Sequence, residues 1–281
     1  MLELLLHCRP GFEGEAATEI QTLAAERGIN GYVVTRDGAA VVRFVCPAAG
    51  DAERLMGAID FRELIFARQW ALGSWLDVST EDRISPIITA CASGPIASRL
   101  WLETADTNDG KALAALIRKL ERPLESALLK TRFVRPKQVD APRLHVFLES
   151  GQRIFVGWSW PDNAAAWPMG IPRLKFPREA PSRSTLKLEE AWHHFIPREE
   201  WDSRLAPGMT AVDLGAAPGG WTWQLVNRHM KVTAVDNGPM ARSLMDSGQV
   251  EHVQTDGYLF KPARPVQWMV CDIVDKPARS S

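Results

Sequence analysis

The sequence predicts an α/β protein in which a Rossmann-like domain at the carboxyl end follows two smaller α+β domains. Residues 212–221 pass from a β-branched strand end through a loop of small residues into a helical pattern, which is the unit that opens nucleotide-binding α/β domains. Three further strand patterns follow at 231–236, 250–256 and 267–272, and each ends at or near an aspartate. Strands that alternate with helical segments indicate a parallel sheet, whose ligands bind at the carboxyl edge of the strands.

The amino-terminal part, residues 1–77, is predicted to form a small ferredoxin-like domain with a strand-helix-strand-strand-helix order. Apolar residues recur at helical spacing, and an Asp-Gly pair at 37–38 predicts a hairpin turn. The predicted strands are 2–8, 32–35 and 40–46, and the predicted helices are 14–25 and 52–58.

Residues 78–166 are predicted to form a second α+β domain. Its predicted elements are helices at 84–90, 111–120 and 123–130, a strand at 98–104, and a late hairpin of 144–149 with 153–159. Five prolines between 161 and 181 then predict a stiff, extended linker, which we place at 167–182. The remaining residues, 183–281, form the carboxyl-terminal domain.

Composition excludes several classes of protein. The 281 residues are 46% hydrophobic and 24% charged, and no stretch approaches the roughly 20 apolar residues of a membrane span. The four cysteines lack the paired spacing of a metal site and are typical of reduced core residues, so we expect a cytoplasmic protein without a metal. We also expect a monomer.

Any contact with nucleic acid has to be local, because the net charge is only −1. Either of two basic segments alone is better explained as a solvated loop, but the two together favour phosphate contacts. The first holds Lys130, Arg132, Arg135, Lys137 and Arg143 against one acid, Asp140, and the second holds Arg173, Lys175, Arg178 and Arg183.

The glycine loop itself has the spacing G-x-x-x-G-G, with Gly215, Gly219 and Gly220 and a proline at 218. This differs from the G-x-G-x-x-G of dinucleotide-binding folds and indicates a smaller ligand without a pyrophosphate. S-adenosylmethionine (SAM) fits, since its carboxylate suits the free N–H groups at the start of the following helix. Asp213, Asp236, Asp256 and Asp272 all fall at or near strand ends. Each alone is typical of a cap or turn, but four together favour a site at the sheet edge.

Several segments carry a resemblance to a known family. Ser-Arg-Ser-Thr-Leu-Lys-Leu-Glu-Glu at 182–190, the Asp-Leu-Gly-Ala-Ala-Pro-Gly-Gly-Trp loop at 213–221 and the strand ending at Asp272 together resemble the FtsJ-type ribose 2′-O-methyltransferases. The segments 169–177 and 235–240 narrow the resemblance to the RlmM family, bacterial enzymes that 2′-O-methylate a cytidine of 23S ribosomal RNA. The segment 103–108 resembles a THUMP domain, a module of RNA-modifying enzymes.

This resemblance implies a SAM-dependent rRNA methyltransferase with 23S rRNA as its partner and no association with a membrane. It implies that Ser184 and the loop Ala217, Pro218, Gly219, Gly220 and Trp221 meet the methionine end of SAM. Asp236 is then expected at the ribose, Asp256 at the adenine amine, and Asp272 near the methyl-bearing centre.

The family's catalytic set is Lys, Asp, Lys, Glu, and Lys187 and Asp272 match its first two members. The second lysine, the presumed base, and the glutamate lie on later strands of a seven-stranded sheet, whereas this sequence stops after the fourth. We therefore expect a truncated version of a longer protein, nearly inactive as it stands, with an open edge at its fourth strand.

Three alternatives stay open or are disfavoured by particular residues. A non-catalytic RNA-binding fragment remains possible, and a nucleotide oxidoreductase is disfavoured by the proline in the loop. Amine methylation is disfavoured because no Asn/Asp-Pro-Pro motif follows the fourth strand, and Cys271 lacks the context of a cytosine C5 nucleophile. Lys187 also has an ordinary explanation as the surface partner of Glu190 on one helix.

Overall fold

A computed structural model describes residues 2–273 of the chain. The chain divides into two compact units, residues 1–172 and residues 173–281. The division falls inside the predicted linker at 167–182. The domain boundaries given above remain predictions within this division.

The first unit contains seven strands and five helices among its described residues. In chain order they are β1 Glu3–Cys8, α1 Glu13–Glu26, β2 Tyr32–Val34, β3 Val41–Val45, α2 Asp51–Ala58, β4 Ala67–Asp77, α3 Ile84–Cys91, β5 Arg99–Thr104, α4 Asn108–Ala112, α5 Ala114–Lys130, β6 Arg143–Leu148 and β7 Arg153–Ser159.

The strand β4 joins both halves of this unit into one seven-stranded sheet of order β2-β3-β1-β4-β7-β6-β5. It pairs with β1 along its first half and with β7 along its second half, antiparallel in both cases. The predicted strand-helix-strand-strand-helix order was wrong in omitting β4. Arg68, Gln69 and Gly73 break the apolar alternation of β4. Gln69 is nevertheless fully buried, and its burial is tolerated because its side-chain amide donates a hydrogen bond.

One face of the sheet is covered by helices. Helices α1 and α2 pack over one half and α3 and α5 over the other, and each half has its own apolar core. The two helices predicted at 111–120 and 123–130 are mostly one helix, α5, with Pro123 inside it. Leu120, Leu124 and Leu128 are buried at a spacing of four, so one continuous apolar face outweighs the hydrogen bond that the proline removes.

The other face of the sheet is buried as well, and residues 163–170 cover part of it. Leu5, Ala71 and Phe155 are each at most 1% exposed there. The rings of His7 on β1 and Phe147 on β6 meet edge to face at 5.3 Å, although two strands separate β1 from β6 in the sheet. The sheet therefore curls so that its concave face closes over its own side chains.

The second unit is a parallel sheet of four strands, β8 Thr210–Leu214, β9 Lys231–Val235, β10 Val250–Val253 and β11 Trp268–Cys271, flanked by helices as the sequence predicted. The strand order in the sheet is β10-β9-β8-β11. The apolar core of this unit contains Trp192, Trp201, Leu225 and Val270. Among the described residues, no helix of either unit is long and apolar enough to span a bilayer. The helices of the second unit are α6 Thr185–Phe195, α7 Trp201–Arg204, α8 Gly220–Asn227 and α9 Arg242–Met245.

Candidate active site

The glycine loop lies between β8 and α8, at the carboxyl edge of the sheet. Gly215 and Gly219 have φ angles of +75° and +115°, which side chains rarely adopt, so the loop needs glycine at both positions. A Cβ atom at Gly220 would lie 2.1 Å from the Ser184 hydroxyl oxygen. The start of α8 therefore touches the segment that leads into α6, and a side chain at position 220 would push the two apart.

Helix α6 is fixed against α8 by hydrogen bonds that side chains of α8 donate. The Trp221 indole donates to the carbonyl of Ser184 at 2.8 Å. The Gln224 amide donates to the carbonyl of Thr185 at 3.3 Å and to the Glu189 carboxylate at 3.1 Å. These contacts fix the rotation of α6 and hence the direction in which Lys187 projects.

Lys187 and Asp272 form an ion pair. The Lys187 Nζ atom donates to the two carboxylate oxygens of Asp272 at 2.8 and 3.1 Å, across 85 residues of sequence. Asp272 follows the last residue of β11, and its own N–H donates to the carbonyl of Leu214 at the end of β8. This contact contradicts the surface pairing of Lys187 with Glu190, since the amine points to the sheet edge instead.

Asp213 is the most buried acid of the site, with 1% of its surface exposed. Its Oδ2 atom accepts a hydrogen bond from the Thr222 hydroxyl at 2.6 Å, while Oδ1 is buried without a partner among the described residues. Burial raises the pKa of this carboxyl to about 7, opposed by the Thr222 hydrogen bonds, and the charges of Asp272 and Asp236 raise it further.

A small open cleft brings together four of the ten predicted site residues, namely Ser184, Ala217, Trp221 and Asp272. It is lined by Ser184, Asp213, Gly215, Ala216, Ala217, Trp221 and Asp272. Ser184 was expected at this place from the resemblance, whereas Asp213 was singled out only as one of four strand-end acids. Sequence reasoning missed Thr222, which lies in the first turn of α8 and donates its hydroxyl to Asp213. Its position directly after the glycine loop is the signal that could have found it.

Asp236 holds the glycine loop from the end of β9. One carboxylate oxygen accepts from the Ala217 N–H at 3.0 Å and the other from the Gly238 N–H at 2.7 Å. The carboxylate is half-exposed and keeps further lone pairs free for hydroxyl donors. Asp236 therefore orders the loop and is placed beside the cleft without lining it.

Asp256 and Pro218 lie outside the cleft. Asp256 is exposed, and its carboxylate accepts from the Tyr258 N–H at 2.9 Å, which is the ordinary turn-forming role of an aspartate. Its neighbour Gly257 packs beside Gly215, since a Cβ there would lie 3.9 Å from the Gly215 nitrogen. Gly219 packs against Leu244 of α9 and belongs to the loop's support.

The chemistry of these residues fits SAM. The unpartnered oxygen of Asp213 is a buried acceptor, which suits a cationic amine. The first N–H groups of α8 suit a carboxylate. A methionine moiety has both of these charged groups.

Models of three families match successive parts of the chain. A model of the RlmM ferredoxin-like domain matches residues 1–71, and a model of the ribosomal RNA large subunit methyltransferase M amino-terminal region matches residues 82–160. A model of FtsJ-like methyltransferases matches residues 180–278.

Curated relatives align with the whole chain. Proteins named ribosomal RNA large subunit methyltransferase M from Azotobacter vinelandii and Stutzerimonas stutzeri are each 60% identical to it, and the alignments cover 79% and 80% of those proteins. The protein of that name from Pseudomonas fluorescens strain Pf0-1 is 57% identical, with 78% of its length covered. Full-length similarity at this level, together with the three matching models, shows that the chain belongs to the ribosomal RNA large subunit methyltransferase M family.

Proposed function

We propose that this chain serves SAM-dependent methyl transfer to the ribose 2′-OH of a cytidine in 23S ribosomal RNA. The observation that carries the proposal is the Lys187–Asp272 ion pair, which stands at the cleft formed by the glycine loop. The family membership supports rRNA methylation, and the ion pair supports a hydroxyl rather than an amine as the acceptor.

A ribose hydroxyl is a very weak acid, so methyl transfer to its oxygen requires help in removing the hydroxyl proton. SAM supplies an activated methyl group when bound. A fixed ammonium beside the hydroxyl favours the negative charge that develops on the oxygen, and preorganised charges of this kind make large contributions to catalysis. Asp272 holds the Lys187 ammonium in place, so that it does not have to be oriented during the reaction.

Cofactor choice provides the first test. The chain is expected to bind SAM and not NAD in calorimetry, since its loop lacks dinucleotide spacing.

Asp236→Ala should weaken SAM binding by about 1–3 kcal/mol, because it removes a charged acceptor beside the cleft. Asp236→Asn keeps one acceptor oxygen and should lose less. Unchanged SAM affinity in Asp236→Ala would exclude Asp236 from the site, and binding of NAD alone would support the oxidoreductase alternative.

Basic side chains converge at one end of β5 and β6 in the first unit, and we place RNA phosphates there. Arg99 and Arg143 are direct neighbours in the parallel β5–β6 pairing. The Arg135 N–H donates to the carbonyl of Ala97, which brings the basic segment alongside the start of β5. Arg143 stacks over the Trp101 ring at 4.8 Å and is half-buried, whereas Arg99 and Arg135 are exposed.

Salt dependence tests this placement. The affinity for rRNA falls as the salt concentration rises. Each lost phosphate contact should reduce the magnitude of the slope of log affinity against log salt by about 0.7–0.9. Arg99→Ala and Arg135→Ala are therefore expected to flatten the slope by about one contact each. Arg118→Ala, an exposed arginine on α5, is the matched control and should leave the slope unchanged. Equal slopes for all three variants would remove the β5 end from the RNA-binding surface.

A further inference from the structure

A serine, a histidine and a glutamate stand in line inside the first unit. The His145 ring on β6 contacts the Glu103 carboxylate through Nδ1 at 2.7 Å and the Ser159 hydroxyl through Nε2 at 2.7 Å. The order resembles a hydrolytic triad, but Ser159, His145 and Glu103 are only 0%, 1% and 2% exposed. A substrate cannot reach a hydroxyl that is closed inside the concave face of a sheet, so this group needs another explanation.

The remaining oxygen of Glu103 supplies that explanation. It accepts a hydrogen bond at 2.5 Å from the N–H of Met169, sixty-six residues further along the chain. Met169 and Gly170 have φ angles of +55° and +66° and form a left-handed turn. A Cβ atom on Gly170 would lie 1.8 Å from the carbonyl oxygen of Arg68, so the turn is pressed against β4.

The turn ends a segment, residues 163–170, that we call the strap. Side chains of the sheet donate to its carbonyl groups. Gln69 donates to the carbonyls of Ala165 and Trp167, both at 3.0 Å, and Arg143 donates to that of Ala165 at 2.8 Å. The Trp70 indole donates to the carbonyl of Asn163 at 2.6 Å.

The other end of the strap is held by its own side chain. The Asn163 amide donates to the carbonyls of Met56 and Ile59, and its oxygen accepts the N–H of Phe61. The strap therefore has no strand ladder of its own and depends on side chains for its position. Among the side chains that hold the strap, Glu103 is the charged acceptor, through the Met169 N–H. A hydrogen bond to a buried charge is among the strongest that a protein makes.

Glu103 keeps its charge in this place. Burial raises its pKa, but the His145 charge and hydrogen bond, the His7 charge and the Met169 N–H together hold it below the ordinary value. His7 lies 3.9 Å away from the carboxylate.

We infer that Glu103 is a positioning residue that locks the strap to the first unit, so that the chain becomes free to bend only after Gly170. The predicted stiff linker at 167–182 is then shorter than its prolines indicate, because its first four residues are an anchored part of the sheet unit. Ser159 and His145 orient the Glu103 carboxylate and take no part in chemistry.

Hydrogen exchange of the whole chain, read by mass spectrometry, tests the inference. In Glu103→Ala we expect exchange across residues 165–171 to accelerate by about tenfold or more, while peptides from β1 and β6 change by less than about twofold, because a local opening releases only the strap. Glu103→Gln retains an acceptor for the Met169 N–H and should restore much of the protection. Glu149→Gln, at an exposed position just after β6, is the control and should match the parent chain.

Two results would overturn the inference. One is unchanged exchange of the strap in a folded Glu103→Ala chain, and the other is a uniform rise over the whole sheet, which would indicate a purely structural role. If Glu103→Ala does not fold, Gln69→Leu replaces it, since this change removes two donors to the strap and leaves Glu103 in place. Strap exchange equal to that of the parent chain in Gln69→Leu would likewise contradict a strap held by side chains.

Discussion

Replacement of Lys187 by methionine is expected to lower methyl transfer to 23S rRNA by about 10²–10³-fold, the usual effect of removing one preorganised charge from a transition state. Methionine keeps the length and apolar stem of lysine and removes only the ammonium that Asp272 holds. SAM affinity and the unfolding free energy should change little, because the Lys187 side chain is 62% exposed. The rate is measured with labelled SAM.

The chain spans about four-fifths of the length of its curated relatives, so this assay uses a chimera of the chain with the part of the Azotobacter vinelandii protein that the alignment leaves uncovered. Lys261→Met in the same chimera is the control, since Lys261 is exposed in the same unit. A Lys187→Met rate equal to that of the control would make Lys187 an ordinary surface residue and remove the main support for hydroxyl chemistry.

Replacement of Asp213 by asparagine is expected to stabilise the ligand-free chain, and increasingly so as the pH rises. The pKa of Asp213 is about 7 in the folded chain against 3.8 as its ordinary value, because the carboxyl is buried. Between these two pH values the unfolded chain has lost the proton and the folded chain retains it, so raising the pH favours unfolding. At about 1.4 kcal/mol per pH unit, the folded chain loses on the order of 2–4 kcal/mol by pH 7.

Urea unfolding of both chains from pH 4.5 to 8 measures this effect. The difference in unfolding free energy between Asp213→Asn and the parent chain should grow up to about pH 7 and then level off. Contributions from other groups, such as the buried His7, cancel in the difference. Asp246→Asn, an exposed aspartate beside α9, should show no such trend. A pH-independent difference for Asp213→Asn would show that Asp213 ionises as an ordinary aspartate and that burial does not raise its pKa.

The second unit was largely predictable from sequence because its signals are local. Each parallel strand is a short run that ends at or near an aspartate, and the glycines of the loop lie where the backbone takes positive φ angles. The contact of Lys187 with Asp272 was not derivable from spacing, since the two residues are 85 positions apart and only the sheet edge brings them together. The resemblance to the family, rather than periodicity, singled them out.

The first unit shows what local patterns miss. Strand β4 carries Gln69 and Gly73 in its interior, and these residues are tolerated because the strap carbonyls and the neighbouring β7 backbone use the space. Glu103 is a charged residue inside a strand and by pattern belongs at the surface. Its partners come from β6 and from the strap, so its burial depends on long-range contacts that a sequence read in short windows does not contain.

The position of the transferred methyl group distinguishes ribose methylation from base methylation. The chimera methylates 23S rRNA with labelled SAM, and the product is hydrolysed in alkali, which cleaves RNA only where a free 2′-hydroxyl attacks the adjacent phosphate. We expect the label to resist cleavage and to be recovered in a dinucleotide whose 5′ residue is cytidine. Label recovered in a mononucleotide, as a methylated base, would contradict a site in which the Lys187–Asp272 pair serves a ribose hydroxyl.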